Sequence, residues 1–320
     1  MSTISIPSDV PSPEEDCNKL WKAFKGWGTD EKAVIDVLAH RNARQRRAIS
    51  EAYRRLHRES LLDRLRSELS GDFGKAVVLW AQDPPERDAK LANKAMKKKD
   101  ERHVLMLIEI ACASSPDHLM AVRKAYCFLF NSSLEEDVED HFAKQESLRR
   151  LLMGLVTSYR YNGELVDEEL ARSEAATLHD AISMKQPDNE EVVRILGTRS
   201  KSQLKSTFNC YKEKYGTSID EDLESSSSGD NKFIPVLKVA VRCIESPEKH
   251  FAEVVRSSIV GLGTDEDALT RAIVTRAEVD MKSIKEEYKR YKTSLNTDVI
   301  GDTSGYYQEF LLALVGWAIP

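Results

Sequence analysis

Residues 24–53, FKGWGTDEKAVIDVLAHRNARQRRAISEAY, return 235 positions later as residues 259–288, IVGLGTDEDALTRAIVTRAEVDMKSIKEEY. Gly26 falls on Gly261, Gly28 on Gly263 and Thr29 on Thr264, and Asp30, Glu31, Ala33, Arg41, Ile49 and Tyr53 also meet their own kind. One residue out of step, ELSGDF (Glu68 to Phe73) lies over DTSGYY (Asp302 to Tyr307). Two weaker copies sit between, IEIACASSPDHLMAVRKAY ending at Tyr126 and VRILGTRSKSQLKSTFNCY ending at Tyr211, each followed by SLEEDVE or SIDEDLE. The four tyrosines stand 73, 85 and 77 residues apart, so a unit of about 70 residues, four times over, fills the chain.

Within a unit the periodicity is helical. Ile49, Ala52, Tyr53 and Leu56 fall at i, i+3, i+4 and i+7, and Ile284, Tyr288 and Tyr291 at i, i+4 and i+7, each stripe directed at a core with Arg, Lys and Glu opposite. With only 14 Gly and 10 Pro in 320 residues, the composition suits helices better than a sandwich of tight turns. The expected fold is all-α, with four or five helices per unit.

Five cysteines, odd in number and without CxxC spacing, indicate neither a disulfide framework nor a zinc site and point to a reducing compartment. The start MSTISIPSDVPSP has no basic and apolar leader pattern, and the longest apolar run, near FLLALVGWAI, is far short of a span. A cytoplasmic protein is the expectation. The formal charge of −6 gives no general attraction for nucleic acid or anionic lipid, so lipid binding needs a local basic patch or a bridging cation, and nucleic acid is not an expected partner.

The glycine loop supplies such a cation site. Glycine tolerates the torsions that turn successive carbonyls to one point, and hard cations are bound by oxygen. Phe24, Gly26 and Gly28 could aim three carbonyls, as could Ile259, Gly261 and Gly263. Thr29 and Asp30 are placed to cap the next helix, and TDED (Thr264 to Asp267) matches a capping box. Each loop also has an acid about 40 residues downstream just before an SG turn, Glu68 and Asp302. Three carbonyls and one bidentate carboxylate make about five oxygens against the ~6 to 8 that Ca²⁺ takes, with net charge left near +1, and a phosphate oxygen from outside answers both deficits. Trp27 or Leu262 at the loop tip would then enter the headgroup layer, and Lys25 would add attraction to anionic lipid.

Paired GxGT loops with an acid about 40 residues on, in a chain of four helical units, resemble the annexins, Ca²⁺-dependent phospholipid-binding proteins. FKGWGTDE, TRAEVDMKSIKEEY and GDTSG look like a plant member. The resemblance implies four five-helix repeats in a slightly curved disc, at 14–80, 86–158, 168–241 and 245–317, after a short tail at 1–13. It implies calcium sites of Phe24, Gly26, Gly28 and Glu68, and of Ile259, Gly261, Gly263 and Asp302. Accessory sites would use Thr29 with Glu31 and Thr264 with Glu266. The second and third repeats depart from the pattern: MKKKDERH (Met96 to His103) and MKQPDNEE (Met184 to Glu191) lack GxGT, and no high-quality site is expected there.

The expected function is calcium-dependent binding to anionic phospholipid membranes, peripheral and triggered when calcium rises, with no required catalysis. The resemblance also brings other associations of plant annexins: peroxidase-like or nucleotide-hydrolysing activity with His40 as a haem ligand, a redox pair at Cys112 and Cys243, a role in stress response, homo-oligomers on membranes, and actin or nucleotide as partners. The residues themselves give these little help. His40 ends an apolar helical stretch where a satisfied histidine is commoner than a ligand, no phosphate-binding GxxxxGK[ST] loop occurs, and buried cysteines are ordinarily inert.

Overall fold

The computed structural model describes residues 1–26, 28–98, 100–157, 159–226, 233–261 and 263–317. Among them are twenty α-helices, one 3₁₀ helix and no strand. The helices fall into fives. The first set is α1 (Pro13–Ala23), α2 (Glu31–Leu38), α3 (Ala43–His57), α4 (Leu61–Glu68) and α5 (Gly71–Ala81). The second is α6 (Pro84–Lys98), α7 (Glu101–Ala113), α8 (Pro116–Phe130), α9 (Leu134–His141) and α10 (Glu146–Thr157). The third is α11 (Glu168–Ser183), α12 (Glu190–Thr198), α13 (Lys201–Tyr215), α14 (Ile219–Ser226) and α15 (Phe233–Glu245). The fourth is α16 (Pro247–Ile259), α17 (Glu266–Arg276), α18 (Met281–Tyr288), α19 (Leu295–Asp302) and α20 (Gly305–Leu314).

One turn recurs in all four sets and shows how local sequence fixes it. The third helix, or in the fourth set the 3₁₀ helix that continues it, ends on a left-handed residue, Arg58 (φ 56°), Asn131 (54°), Gly216 (79°) or Lys292 (59°). Two residues on, a serine opens the fourth helix. Ser60, Ser133, Ser218 and Ser294 each accept the backbone N–H of the third residue after them, at 3.0 to 3.3 Å. The tyrosine stripe is core as expected: Tyr53, Tyr126, Tyr211 and Tyr288 are all fully buried.

Two stripe positions depart from the helical reading. Leu56 is 46% exposed. Its place is taken by His57, whose ring stacks on Trp21 at 4.0 Å, so the buried edge shifts one residue at the helix end. Tyr291 is half-buried because α18 stops at Tyr288 and the chain tightens into the 3₁₀ helix Lys289–Tyr291, turning that ring off the core face. Of the two capping candidates, Thr29 and Asp30, the first loop uses the aspartate, and the capping box read at Thr264 is corrected. Asp30 and Asp265 are the N-caps, accepting from Ala33 N at 2.9 Å and Ala268 N at 3.1 Å.

The chain divides into two compact units, residues 1–84 with 248–320, and residues 85–247. The first unit therefore joins the first and fourth helical sets. There α5 packs on α17 and α20. Glu278, just after α17, accepts from Ala43 N at 2.7 Å and from Arg46 at 2.8 Å, while the Arg46 guanidinium lies 3.6 Å over the buried Trp80 ring. The N-terminal residues are fastened to the same unit: Thr3 donates through its backbone N–H to Ala277 O and through its hydroxyl to Leu314 O, at 3.0 and 2.7 Å.

In the second unit α7 packs on α15, and α10 crosses α12 where Gly154 meets Gly197. A Cβ on Gly197 would stand 3.1 Å from Gly154 Cα, so the backbones approach too closely for a side chain. Gly197→Leu is expected to push the two helices apart at a cost of about 1–3 kcal/mol, measured as a lower urea midpoint at unchanged m-value.

Candidate metal centre

The first glycine loop leaves α1 at Ala23 and re-enters a helix at Glu31, and Asp30 N donates back to Ala23 O at 2.9 Å. The loop between α16 and α17 is closed the same way, Asp265 N donating to Ser258 O at 2.8 Å. The torsions match too: φ is 122° at Gly26 and 145° at Gly261, and 86° at both Gly28 and Gly263. A Cβ at any of the four would meet nothing within 4 Å, so torsion and not space selects glycine here. Among the described residues, the carbonyls of these four glycines accept no hydrogen bond.

The distant acids arrive where the loops need them. Glu68 is the last residue of α4 and Asp302 the last of α19. Thr29 Oγ1 donates to Glu68 Oε2 at 3.0 Å, and Thr264 Oγ1 to Asp302 Oδ2 at 2.5 Å. Freed from capping, each threonine tethers its loop to its acid. A carboxylate at the C-terminal end of a helix sits against the negative pole of the dipole, a placement that costs about 0.3–1 kcal/mol unless a cation is near.

Glu68 and Asp302 also line one cavity of about 420 Å³ in the first unit. Its walls come in matched pairs from the two sets: Glu31 with Glu266, Glu68 with Asp302, Ser70 with Ser304, Phe73 with Tyr307. The four acids expected at the two main and two accessory sites, Glu31, Glu68, Glu266 and Asp302, thus all line one cleft. Lys75 links the two sets, 3.0 Å from Asp72 and 3.6 Å from Asp267, and its hydrogen bond with Asp72, with the charge of Asp267, raises its pKa.

A third partner was not singled out from the sequence. Arg64, one turn before Glu68 on α4, donates to Phe24 O at 3.2 Å and pairs with Glu68 Oε1 at 3.1 Å. The signal was available in the overlay, where Arg64 falls on Asp298, but an isolated basic residue in a helix reads as a solvated one.

The middle loops are built differently. Asp100 caps α7 by accepting from His103 N at 3.0 Å, and the stretch before it has no glycine. Between α11 and α12 the positive φ falls on Lys185 (58°), Gln186 N turns back to Ala181 O at 2.9 Å, and Pro187 fixes its own φ. Lys25 lies with its Nζ 4.9 Å over the Trp21 ring. Trp27 and Leu262 lie outside the described residues.

Two other expectations meet definite surroundings. His40 Nδ1 is 2.8 Å from Ser5 O and so fastens the N-terminal segment. Cys112 and Cys243 are both fully buried, on the packed pair α7 and α15, and burial pushes the Cys112 thiol up to about 11. A thiol so placed is mostly protonated and a poor nucleophile; the exposed cysteine is Cys127. Among the described residues no group of three or more His, Cys, Asp or Glu side chains could hold a metal. The donors that the loops do present are all oxygens, freed carbonyls with one carboxylate, which fits a hard cation such as Ca²⁺. Among the described residues no helix is long and apolar enough to cross a membrane.

Comparison with known proteins places this geometry. The family model described as Annexin matches residues 15–80, 87–155, 173–234 and 250–314. Annexin D3 of Arabidopsis thaliana is 50% identical, with 99% of each chain covered, and the annexin-like protein RJ4 of Fragaria ananassa is 49% identical at the same coverage. Among solved structures, annexin III superposes with a TM-score of 0.89 at 31% identity, covering 98% of this chain and 97% of that one. A calcium-bound annexin (Sm)1 superposes at 0.82 with 29% identity, covering 99% and 93%.

Proposed function

This chain belongs to the annexin family, and from that premise we propose that it attaches to anionic phospholipid membranes when calcium fills the loops of its first and fourth repeats. Annexins are in general non-enzymatic, calcium-dependent membrane binders. The observation that carries the reading is the recurrence of one device: two glycine loops of matched torsion, each tied by a threonine hydroxyl to a carboxylate from the end of its fourth helix.

The chain's own residues do four things in this account. Phe24, Gly26 and Gly28, and likewise Ile259, Gly261 and Gly263, offer their carbonyls to an ion from loops of matched glycine torsion. Glu68 and Asp302 each contribute the one negative charge of a cage, held in place by Thr29 and Thr264. Glu31 with the Thr29 carbonyl, and Glu266 with the Thr264 carbonyl, make the accessory sites. Trp27 and Leu262, at matching places in the two loops, enter the headgroup layer, worth about 1.5–3 kcal/mol each, with about 1 kcal/mol from Lys25. Calcium, when bound, supplies a hard dication whose remaining coordination is open to a lipid phosphate oxygen. Attachment is therefore peripheral.

Co-sedimentation with phosphatidylserine vesicles across a calcium titration tests this. The protein is expected in the pellet only with calcium, and in the supernatant in EGTA. Tryptophan fluorescence should shift to the blue only when ion and vesicles are both present, and Trp27→Phe should abolish the shift although Trp21, Trp80 and Trp317 remain. Equal pelleting in EGTA would contradict the reading.

A further inference from the structure

The fourth helix of three repeats carries an aspartate with a fixed task. Asp137, Asp222 and Asp298 each accept the hydroxyl of the buried tyrosine, Tyr126, Tyr211 and Tyr288, at 2.5, 2.6 and 2.8 Å. Each also accepts a hydroxyl five residues earlier, from Ser132, Thr217 and Thr293, at 2.8, 2.9 and 2.7 Å. In the first repeat both positions change together. Glu59 stands where the hydroxyl residue would be and takes the Tyr53 hydroxyl at 3.0 Å, and Arg64 stands where the aspartate would be.

The double exchange keeps the buried phenol satisfied and places a cation one helical turn from Glu68. That cation does not point to solvent. Arg64 is 27% exposed, its guanidinium touches Phe24 O and Glu68 Oε1, and its buried Nε has no partner among the described residues. Both oxygens it engages belong to the first cage. In the fourth repeat the same helix position is Asp298, which pairs with Arg256, and among the described residues no cation pairs with Asp302.

We propose that Arg64 is a resident cation of the first cage, competing with calcium for Phe24 O and Glu68, so that the fourth cage fills at lower calcium than the first. The proposal rests on the cage reading above and adds an order of filling to it. A guanidinium has to release two oxygens before they can coordinate, and its charge then remains beside a dication. A quarter-exposed site is partly screened, so the expected handicap is about tenfold in affinity, about 1.4 kcal/mol. The protein would then respond to calcium in two steps instead of one.

Calorimetric calcium titration without lipid, on the full chain, separates the cages: Asp302→Asn leaves the first and Glu68→Gln leaves the fourth. The first cage is expected to bind about tenfold more weakly than the fourth. Adding Arg64→Gln or Arg64→Ala to the Asp302→Asn chain should tighten binding about tenfold, Arg64→Lys should fall between, and the same changes in the Glu68→Gln chain should do nothing. Thermal melting in EGTA identifies any variant that misfolds, and the glutamine variant, which keeps a donor without the charge, covers failure of the alanine one. Unchanged or weaker first-cage binding in folded Arg64 variants overturns the proposal while leaving the cages standing. No calcium heat in either single-cage chain overturns the cage reading, and this proposal with it.

Discussion

Glu68→Gln combined with Asp302→Asn is expected to raise the calcium concentration for half-maximal pelleting on phosphatidylserine vesicles by about a hundredfold or more. Each carboxylate is the one negative charge that its cage receives from the chain, the other donors being neutral carbonyls. Removing it leaves a dication with no opposite charge in its cage, at a site where Glu68 is only 22% exposed. Breaking a fully buried charge contact costs about 3–5 kcal/mol, and a partly solvated one somewhat less; ~2.7 kcal/mol corresponds to a hundredfold. The amide variants preserve shape and still accept the threonine hydroxyl, so melting in EGTA should hardly move. Each single variant should retain calcium-dependent pelleting through the remaining loop, with a lower plateau on vesicles poor in anionic lipid.

Asp88→Ala carries the largest expected effect on stability, about 3–5 kcal/mol in the second unit. Asp88 is 5% exposed on α6, with Arg87 Nε at 2.8 Å and His118 Nε2 at 2.7 Å. Truncation removes the buried carboxylate that both Arg87 and His118 engage, and deleting one partner of a buried charge contact is strongly destabilising. Burial pushes the Asp88 carboxyl up, but the Arg87 charge and the His118 and Arg87 hydrogen bonds outweigh it and hold the pKa at about 2, against 3.8 for a free side chain. A carboxyl lowered on folding stabilises the native state above about pH 4 and loses that contribution as pH falls toward 2, on the order of 2 kcal/mol. Urea midpoints measured from pH 6 to pH 2 should fall steeply in wild type and more gently in Asp88→Asn. Parallel curves would contradict the assignment.

Much of this was legible in the chain because the repeat is printed in it twice with little change. Phe24–Tyr53 over Ile259–Tyr288 gives the loop, the helix that follows and the tyrosine core position. The readings that failed lie where tertiary neighbours decide. Leu56 lost its core place to His57 because Trp21 offers a flat face to an imidazole, and Thr264, read as the start of a capping box, is engaged instead by a carboxylate 38 residues away. The shared acidic cleft was out of reach because it needs the first repeat set against the fourth, and the contacts that do so, Glu278 on Ala43 and Arg46 among them, join residues more than 230 positions apart. Arg64 was visible as a mismatch, but its meaning appears only once the Phe24 carbonyl and Glu68 are seen under its guanidinium.

A crystal grown with calcium tests the central claim most directly, through anomalous difference density and the oxygens around each peak. The account predicts one ion in each glycine loop, ligated by the Gly26 and Gly28 carbonyls with Glu68 and by the Gly261 and Gly263 carbonyls with Asp302. Ions bound only elsewhere, or both loops without a peak at saturating calcium, would contradict it.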